Sequence, residues 1–89
     1  MDALMLDGNA IGGLLQEVFA TEMTTAMGTC ATCGAAEPLG AVHVFRGAGV
    51  VLRCPHCESV LATIVKEQAR MWIDMRGVRV LEVAVEPDG

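Results

Sequence analysis

The chain has 89 residues, a formal net charge of −5 at pH 7 and a hydrophobic share of 53%. This length allows one domain with a small core, which usually needs a metal ion or a covalent cross-link to hold it together. The acidic balance argues against a nucleic-acid module, and the hydrophobic share excludes a disordered tail. No apolar run reaches the roughly 18 residues of a membrane-spanning helix. So many aliphatic side chains in so short a chain predict a surface for a protein partner or for self-association.

Residues 1–27 are predicted to form a lead-in, unanchored over 1–8, and one amphipathic helix that packs on the rest of the chain. Asp7, Gly8 and Asn9 are candidates for the helix N-cap. Over 10–20, apolar residues recur at the spacing of one helix face. We expect this helix to cover a sheet, with partner binding as the alternative. The apolar residues of this face are Ile11, Leu14, Leu15, Val18 and Phe19.

Residues 28–86 are predicted to form an antiparallel sheet. Strands at 41–45 and 50–53 flank a hairpin loop that contains two glycines. The run 60–65 fits a helical period, but its β-branched residues favour a buried strand. Residues 23–29 are expected to form a connector or an edge strand.

Two further strands are predicted at 70–75 and 78–85. In the first strand, residues of the two faces alternate regularly. In the second, this alternation shifts by one residue between Val80 and Leu81, which predicts a bulge. The expected fold is therefore a small α+β protein, a single domain in which an N-terminal helix packs on an antiparallel sheet.

The four cysteines form two C-x-x-C pairs, with 20 residues between the pairs. This spacing is typical of zinc sites, because two thiolates separated by two residues can converge on one ion. Gly34 can supply the positive φ that such a turn needs, and Pro55 stiffens the second pair. Four thiolates leave no coordination position for water, so the pattern predicts one structural Zn²⁺ and no catalysis. The predicted ligands are Cys30, Cys33, Cys54 and Cys57.

The segments Cys30-Ala31-Thr32-Cys33-Gly34 and Cys54-Pro55-His56-Cys57 resemble a zinc ribbon, over residues 28–75. Glu58 stands where many ribbons have Gly, so the second knuckle is expected to be less regular. The segments 6–10 and 23–26 also resemble a small bacterial family, catalogued as a domain of unknown function with a ribbon-like core. That resemblance implies no established activity, and it suggests an association with flavin- or molybdenum-dependent oxidoreductases.

The cysteine pattern leaves two redox alternatives open. It is similar to the ligand pattern of rubredoxin, a one-electron carrier, and four thiolates accept iron as well as zinc. However, the chain has only three aromatic residues and no Tyr, whereas rubredoxins surround their site with aromatic side chains. The second pair also matches the dithiol of an oxidising thioredoxin-like enzyme, but that interpretation leaves Cys30 and Cys33 unexplained. We therefore predict that the protein is not an enzyme.

Nucleic-acid binding, which is common among zinc ribbons, is a further alternative, opposed by the net charge. The basic residues all fall within 40–80 and are Arg46, Arg53, Lys66, Arg70, Arg76 and Arg79.

Three other side chains carry expectations. Trp72 and Arg70 would anchor a partner if their face of the sheet is exposed, and Trp72 would be core if the helix covers it. His56 is expected to point outward from its knuckle, and His43 to lie beside Phe45 on the less buried strand face.

The predicted function is a non-catalytic adaptor or accessory subunit that acts through protein contacts. The absence of a basic secretory start predicts a cytoplasmic location. An oxidoreductase or a second copy of the chain is the expected partner.

Overall fold

The computed structural model describes residues 5–20 and 22–84, which form a small mixed α+β fold. Within these residues there is one short α-helix, and the strands belong to two antiparallel sheets. The helix is α1 (Gly12–Phe19), and the strands are β1 (Met5–Asp7), β2 (Met27–Cys30), β3 (Ala36–Pro38), β4 (His43–Arg46), β5 (Val50–Arg53), β6 (Val60–Lys66), β7 (Met71–Asp74) and β8 (Val78–Glu82).

The N-terminal segment is anchored to a sheet, so the predicted free lead-in over 1–8 is wrong for residues 5–7. β1 pairs antiparallel with β4, and Leu6 lies opposite Val44. Asp7 then accepts a hydrogen bond from the backbone N–H of Asn9 at 3.1 Å, which caps a 3₁₀ turn over Gly8–Ile11. The N-cap prediction is wrong for α1 itself, because Asp7 caps this 3₁₀ turn whereas the N-cap residue of α1 is Ile11, which makes no side-chain cap hydrogen bond.

The 3₁₀ turn delays the start of α1 to Gly12, two residues later than predicted. Gly8 explains the tight turn, because a Cβ there would lie 1.6 Å from the carbonyl oxygen of Leu39. The helix ends at Phe19, and Ala20 adopts the left-handed conformation with φ 60°. Of the predicted apolar face, Ile11 and Leu15 are buried. The half-buried members pack against the core and are Leu14, Val18 and Phe19.

The larger sheet has five strands in the order β1-β4-β5-β6-β7. β4 and β5 form the predicted hairpin, and residues 60–65 form a strand as the β-branched content predicted. The face of the five-stranded sheet that packs on the core is buried, whereas the opposite face of this sheet is open. The core face carries Val44, Leu52, Ala62 and Ile64.

A second, three-stranded sheet has the order β3-β2-β8, so the prediction of one sheet was wrong. β2 is its central strand rather than a connector or an edge strand, because the chain folds back on both sides of it. β8 has the predicted bulge, but at a different place. Thr29 pairs with Val80 and Cys30 with Val78, so Arg79 is the extra residue. The end of the predicted strand, residue 85, lies outside the described residues.

Both sheets and the helical segment contribute to the same hydrophobic cluster. Ile11 and Leu15 come from the N-terminal segment, Leu39 and Val42 from the link between the sheets, and Leu61 from β6. Cys30 and Cys54 are part of this cluster, with relative exposures of 2% and 1%. The cysteine pairs therefore begin at the core and reach outward to the surface.

Candidate metal centre

Each cysteine pair lies at the end of a hairpin, and the two hairpins belong to different sheets. The first knuckle, residues 30–35, joins β2 to β3, and the second, residues 54–59, joins β5 to β6. In the first knuckle, the Gly34 N–H donates to the Cys30 carbonyl at 2.9 Å, and the Cys30 N–H donates to the Ala35 carbonyl at 2.9 Å. Each knuckle is therefore a closed turn that directs two sulfurs to the same side.

The second knuckle repeats this geometry residue for residue. The Glu58 N–H donates to the Cys54 carbonyl at 2.9 Å, and the Cys54 N–H donates to the Ser59 carbonyl at 2.9 Å. Glu58 has a positive φ of 63°, which matches the φ of 79° at Gly34. The expectation that Glu58 would make this knuckle less regular is therefore wrong.

The four predicted cysteines form one cluster in which all sulfur atoms lie within 4.8 Å of one another. The Cys30 and Cys57 sulfurs are 3.6 Å apart, and the Cys33 and Cys54 sulfurs are 3.7 Å apart. A tetrahedral site with metal–sulfur bonds of about 2.3 Å puts its sulfurs about 3.8 Å apart. The cluster therefore has the dimensions of a tetrahedral four-thiolate metal site.

Backbone N–H groups support negative charge on two of the sulfurs. Thr32 donates to the Cys30 sulfur and His56 donates to the Cys54 sulfur, each from the backbone at 3.4 Å. Cys33 is exposed and Cys57 is half-buried, so one side of the cluster faces the surface. The two buried sulfurs therefore each accept a backbone hydrogen bond, and the other two lie nearer the surface.

The surroundings shift the thiol pKa values of Cys30 and Cys33 in opposite directions. The backbone N–H of Cys33 lowers the pKa of Cys30 to about 6, even though burial opposes this. At Cys33 itself, the backbone N–H of Ala35 lowers the pKa, but desolvation and the neighbouring thiols together raise it to about 11. Four adjacent thiols cannot all ionise without a compensating positive charge, and a bound metal ion supplies one.

A family model described as "Family of unknown function (DUF6510)" matches residues 2–86. The chain belongs to this family. The match confirms the predicted resemblance to a domain of unknown function. No curated protein and no solved structure matches the chain.

The histidines of this DUF6510 chain bind carboxylates beside the cysteine cluster. His56 points away from the sulfurs with its side chain 52% exposed, and its Nε2 lies 2.6 Å from Glu37 on β3. This contact joins the second knuckle to the hairpin of the first. His43 lies 2.7 Å from Glu58 through its Nδ1. Sequence reasoning missed both carboxylate contacts, because no spacing relates residues in different hairpins.

Gly77 forms a second bridge between the two sheets. Its carbonyl accepts from the Ala31 N–H at 2.8 Å, and its own N–H donates to the Leu61 carbonyl at 3.0 Å. A Cβ at this position would lie 1.9 Å from the Val60 carbonyl oxygen, so the contact requires glycine. The sequence indicated only a turn at 76–77.

Half of the basic residues make contacts within the chain. Three of the six bind oxygen atoms of the chain itself. These contacts are Arg53 to the Glu58 carbonyl at 2.9 Å, Lys66 to Glu17 at 2.6 Å and Arg76 to Asp74 at 2.6 Å.

Trp72 lies on the open face of the larger sheet and is 49% exposed. It pairs with Val65, on the face opposite the buried Ile64. Trp72 is therefore exposed rather than part of a core covered by the helix. His43 and Phe45 share this open face, as predicted. No helix within residues 5–20 and 22–84 has the length and apolar character needed to cross a lipid bilayer.

Proposed function

We propose that the protein is a zinc-ribbon adaptor or accessory subunit, with one structural Zn²⁺ bound by Cys30, Cys33, Cys54 and Cys57. The observation that carries this proposal is the pair of equivalent knuckles whose sulfurs approach to 3.6 and 3.7 Å. Because each knuckle belongs to a different sheet, the ion would tie the two sheets together. In so short a chain, this link would contribute directly to the free energy of folding.

The site would be structural rather than catalytic. Catalytic zinc sites use three protein ligands and keep a fourth position for water or substrate. Here four thiolates would complete the tetrahedron. The nearby His43 and His56 bind Glu58 and Glu37 instead of approaching the sulfurs.

Exposed apolar side chains on the last two strands support a role in protein contacts. Trp72 and Ile73 on β7 are 49% and 43% exposed, and Val80 on β8 is 53% exposed. Both strands lie at the edge of their sheet. Edge strands with apolar side chains are common docking surfaces, since their backbone groups can pair with another chain. We propose a cytoplasmic oxidoreductase or a second copy of the chain as the partner.

Elemental analysis of protein purified without added metal tests the site. We expect one zinc per chain, no visible colour and loss of the cooperative unfolding transition after chelation. A red, electrochemically active protein with one iron per chain would replace this proposal by a rubredoxin-like carrier, because the same thiolates fit iron. Protein without metal that unfolds cooperatively would contradict both.

Co-purification from native cells tests the adaptor role. Tagged wild-type protein is compared with Val80→Lys, which places a charge on the exposed β8 edge, and with Thr32→Ala as an exposed control outside both edges. We expect an oxidoreductase partner with wild type and Thr32→Ala and its loss with Val80→Lys. A salt-dependent gel shift with DNA or RNA would instead favour the nucleic-acid alternative.

A further inference from the structure

The outer edge of β7 has no neighbouring strand in the described part of the chain, because β7 is the last strand of the larger sheet. Its first three residues, Met71, Trp72 and Ile73, are apolar. Trp72 and Ile73 point to opposite faces, and both are more than two-fifths exposed. Natural edge strands are usually protected by charges, proline or a bulge within the strand. These three positions have none of these, and the charge within β7 is that of Asp74 at its end.

The hydrogen-bond pattern of the β6–β7 hairpin shows which backbone groups face outward. The Glu67 N–H donates to the Arg70 carbonyl at 2.9 Å, so these two residues form a hydrogen-bonded pair. Pairs alternate along an antiparallel ladder, so Trp72, opposite Val65, is also hydrogen-bonded to β6. The N–H and C=O groups of Met71 and Ile73 therefore point away from β6.

We propose that two copies of the chain pair antiparallel through β7, with Trp72 opposite Trp72 of the second copy. This inference specifies the protein contacts of the proposed function. In this register, Met71 of each copy lies opposite Ile73 of the other, and the outward backbone groups of both residues are hydrogen-bonded. The two tryptophans form the intervening non-hydrogen-bonded pair, where cross-strand side chains come closest. A two-fold axis passes between them, as a closed dimer requires.

The charges of Arg70, directly before β7, and of Asp74, its last residue, fit the same register. Arg70 of one copy lies opposite Asp74 of the other, on the same face as Trp72, and the two-fold axis produces this pair twice. Both residues are exposed. Asp74 also binds Arg76 at 2.6 Å within its own chain, but a carboxylate has further acceptor sites for a second cation. In this register, Arg70 and Asp74 thus pair opposite charges, the two Trp72 side chains form an aromatic pair, and Met71 and Ile73 form an apolar pair.

The strand is short, with four residues, so the interface would be at the lower end of the range for specific complexes. We therefore expect a weak, concentration-dependent dimer with a micromolar dissociation constant. The open strand β8 stays available for a different partner.

Charge reversal tests the register by analytical ultracentrifugation. Arg70→Asp places two acidic residues at each flanking pair, and Asp74→Arg places two basic ones. We expect each variant alone to dimerise at least tenfold more weakly than wild type, because both symmetric pairs become repulsive. An equimolar mixture of the two variants should regain the dimer, since acidic and basic copies then face each other. Arg46→Asp, an exposed reversal at the other side of the sheet, should leave dimerisation unchanged.

A spectroscopic readout tests the central pair. The chain contains one Trp, so exciton coupling between indoles in the circular dichroism spectrum requires two copies. We expect this signal to grow with protein concentration and to vanish in Trp72→Phe.

Several outcomes would overturn the inference. The wild type could stay monomeric at millimolar concentration, or the charge reversals could leave its dimerisation unchanged. The equimolar mixture of the two variants could also fail to regain the dimer. Metal content is measured on the same samples. A zinc-loaded monomer refutes only the β7 dimer, whereas metal-free protein refutes the proposed function.

Discussion

The two cysteine knuckles have the same backbone but different residues at the position that needs a positive φ. The first has Gly34 and the second has Glu58, with φ values of 79° and 63°. The corresponding hydrogen bonds have equal lengths in both knuckles, at 2.9 Å for the turn and 3.4 Å for the contacts to sulfur. The knuckle geometry is therefore determined by its cysteines and its hydrogen bonds, and glycine is not required for it.

Glu58 occupies its unfavourable conformation with the help of its neighbours. A non-glycine residue in the left-handed region costs about 1 kcal/mol or more. The His43 ring binds the Glu58 carboxylate at 2.7 Å, and Arg53 donates to the Glu58 carbonyl at 2.9 Å. The first knuckle has an unstrained glycine and the second has a strained residue held by contacts, and this difference can be measured.

Replacing the first cysteine of either knuckle should have the largest effect. Cys30→Ser and Cys54→Ser each replace a buried cysteine of the cluster at equivalent positions. If these sulfurs bind the metal as proposed, both variants lose the metal and the cooperative unfolding transition. Metal content and thermal unfolding followed by circular dichroism check this. Thr32→Ala changes an exposed knuckle side chain that binds no metal, and it should keep both properties. A Cys30→Ser variant that unfolds like wild type would contradict the role of the site.

Gly77→Ala should have the next largest effect, because the added methyl group would collide with the Val60 carbonyl 1.9 Å away. We expect a loss of about 2–3 kcal/mol in the free energy of unfolding, measured with urea. Gly13 in α1 offers a matched control, since a Cβ there meets nothing within 4 Å. Gly13→Ala should stabilise the protein by about 0.5–1 kcal/mol. Equal effects of the two substitutions would show that Gly77 is not in close contact with β6.

The sequence predicted the local features of this molecule better than its long-range pairing. The cysteine spacing predicted the cluster, because two short turns suffice to create each half of it. The β-branched content predicted β6 as a strand, and the apolar pattern found the residues of the helical segment that pack on the core. However, the partner of β2 depends on where β8 arrives after the turn at Gly77, and no periodicity encodes that. The contacts of His56 with Glu37 and of His43 with Glu58 likewise join separate hairpins.

Metal affinity should fall steeply on acidification. In the metal-free cluster the pKa of Cys33 is about 11, so its proton must be displaced by the metal at every pH below that value. The pKa of Cys30 is about 6, so below pH 6 the proton of Cys30 must also leave. Competition titrations with a chelator should therefore show affinity decreasing with falling pH, with a steeper slope below pH 6. A slope that stays constant between pH 8 and pH 5 would contradict the low pKa of Cys30.

Substitutions at the two positive-φ positions should have smaller effects that test the comparison directly. Gly34→Ala adds a methyl group that meets nothing within 4 Å, so its cost should be the conformational one alone, about 1 kcal/mol. Glu58→Ala removes the contact with His43 and keeps the strain, whereas Glu58→Gly removes both. We therefore expect Glu58→Gly to be more stable than Glu58→Ala by about 1 kcal/mol.

The two knuckles are equivalent if the cost of Gly34→Ala equals the difference in stability between Glu58→Gly and Glu58→Ala. Urea unfolding of the metal-loaded variants gives both, with His43→Ala as the control that removes the carboxylate contact without changing residue 58. His43→Ala should cost less than 1 kcal/mol, because the pair is partly exposed. If Glu58→Ala and Glu58→Gly were equally stable while Gly34→Ala was destabilised, Glu58 would not adopt a strained φ in solution. The second knuckle would then reach its geometry by a different backbone path.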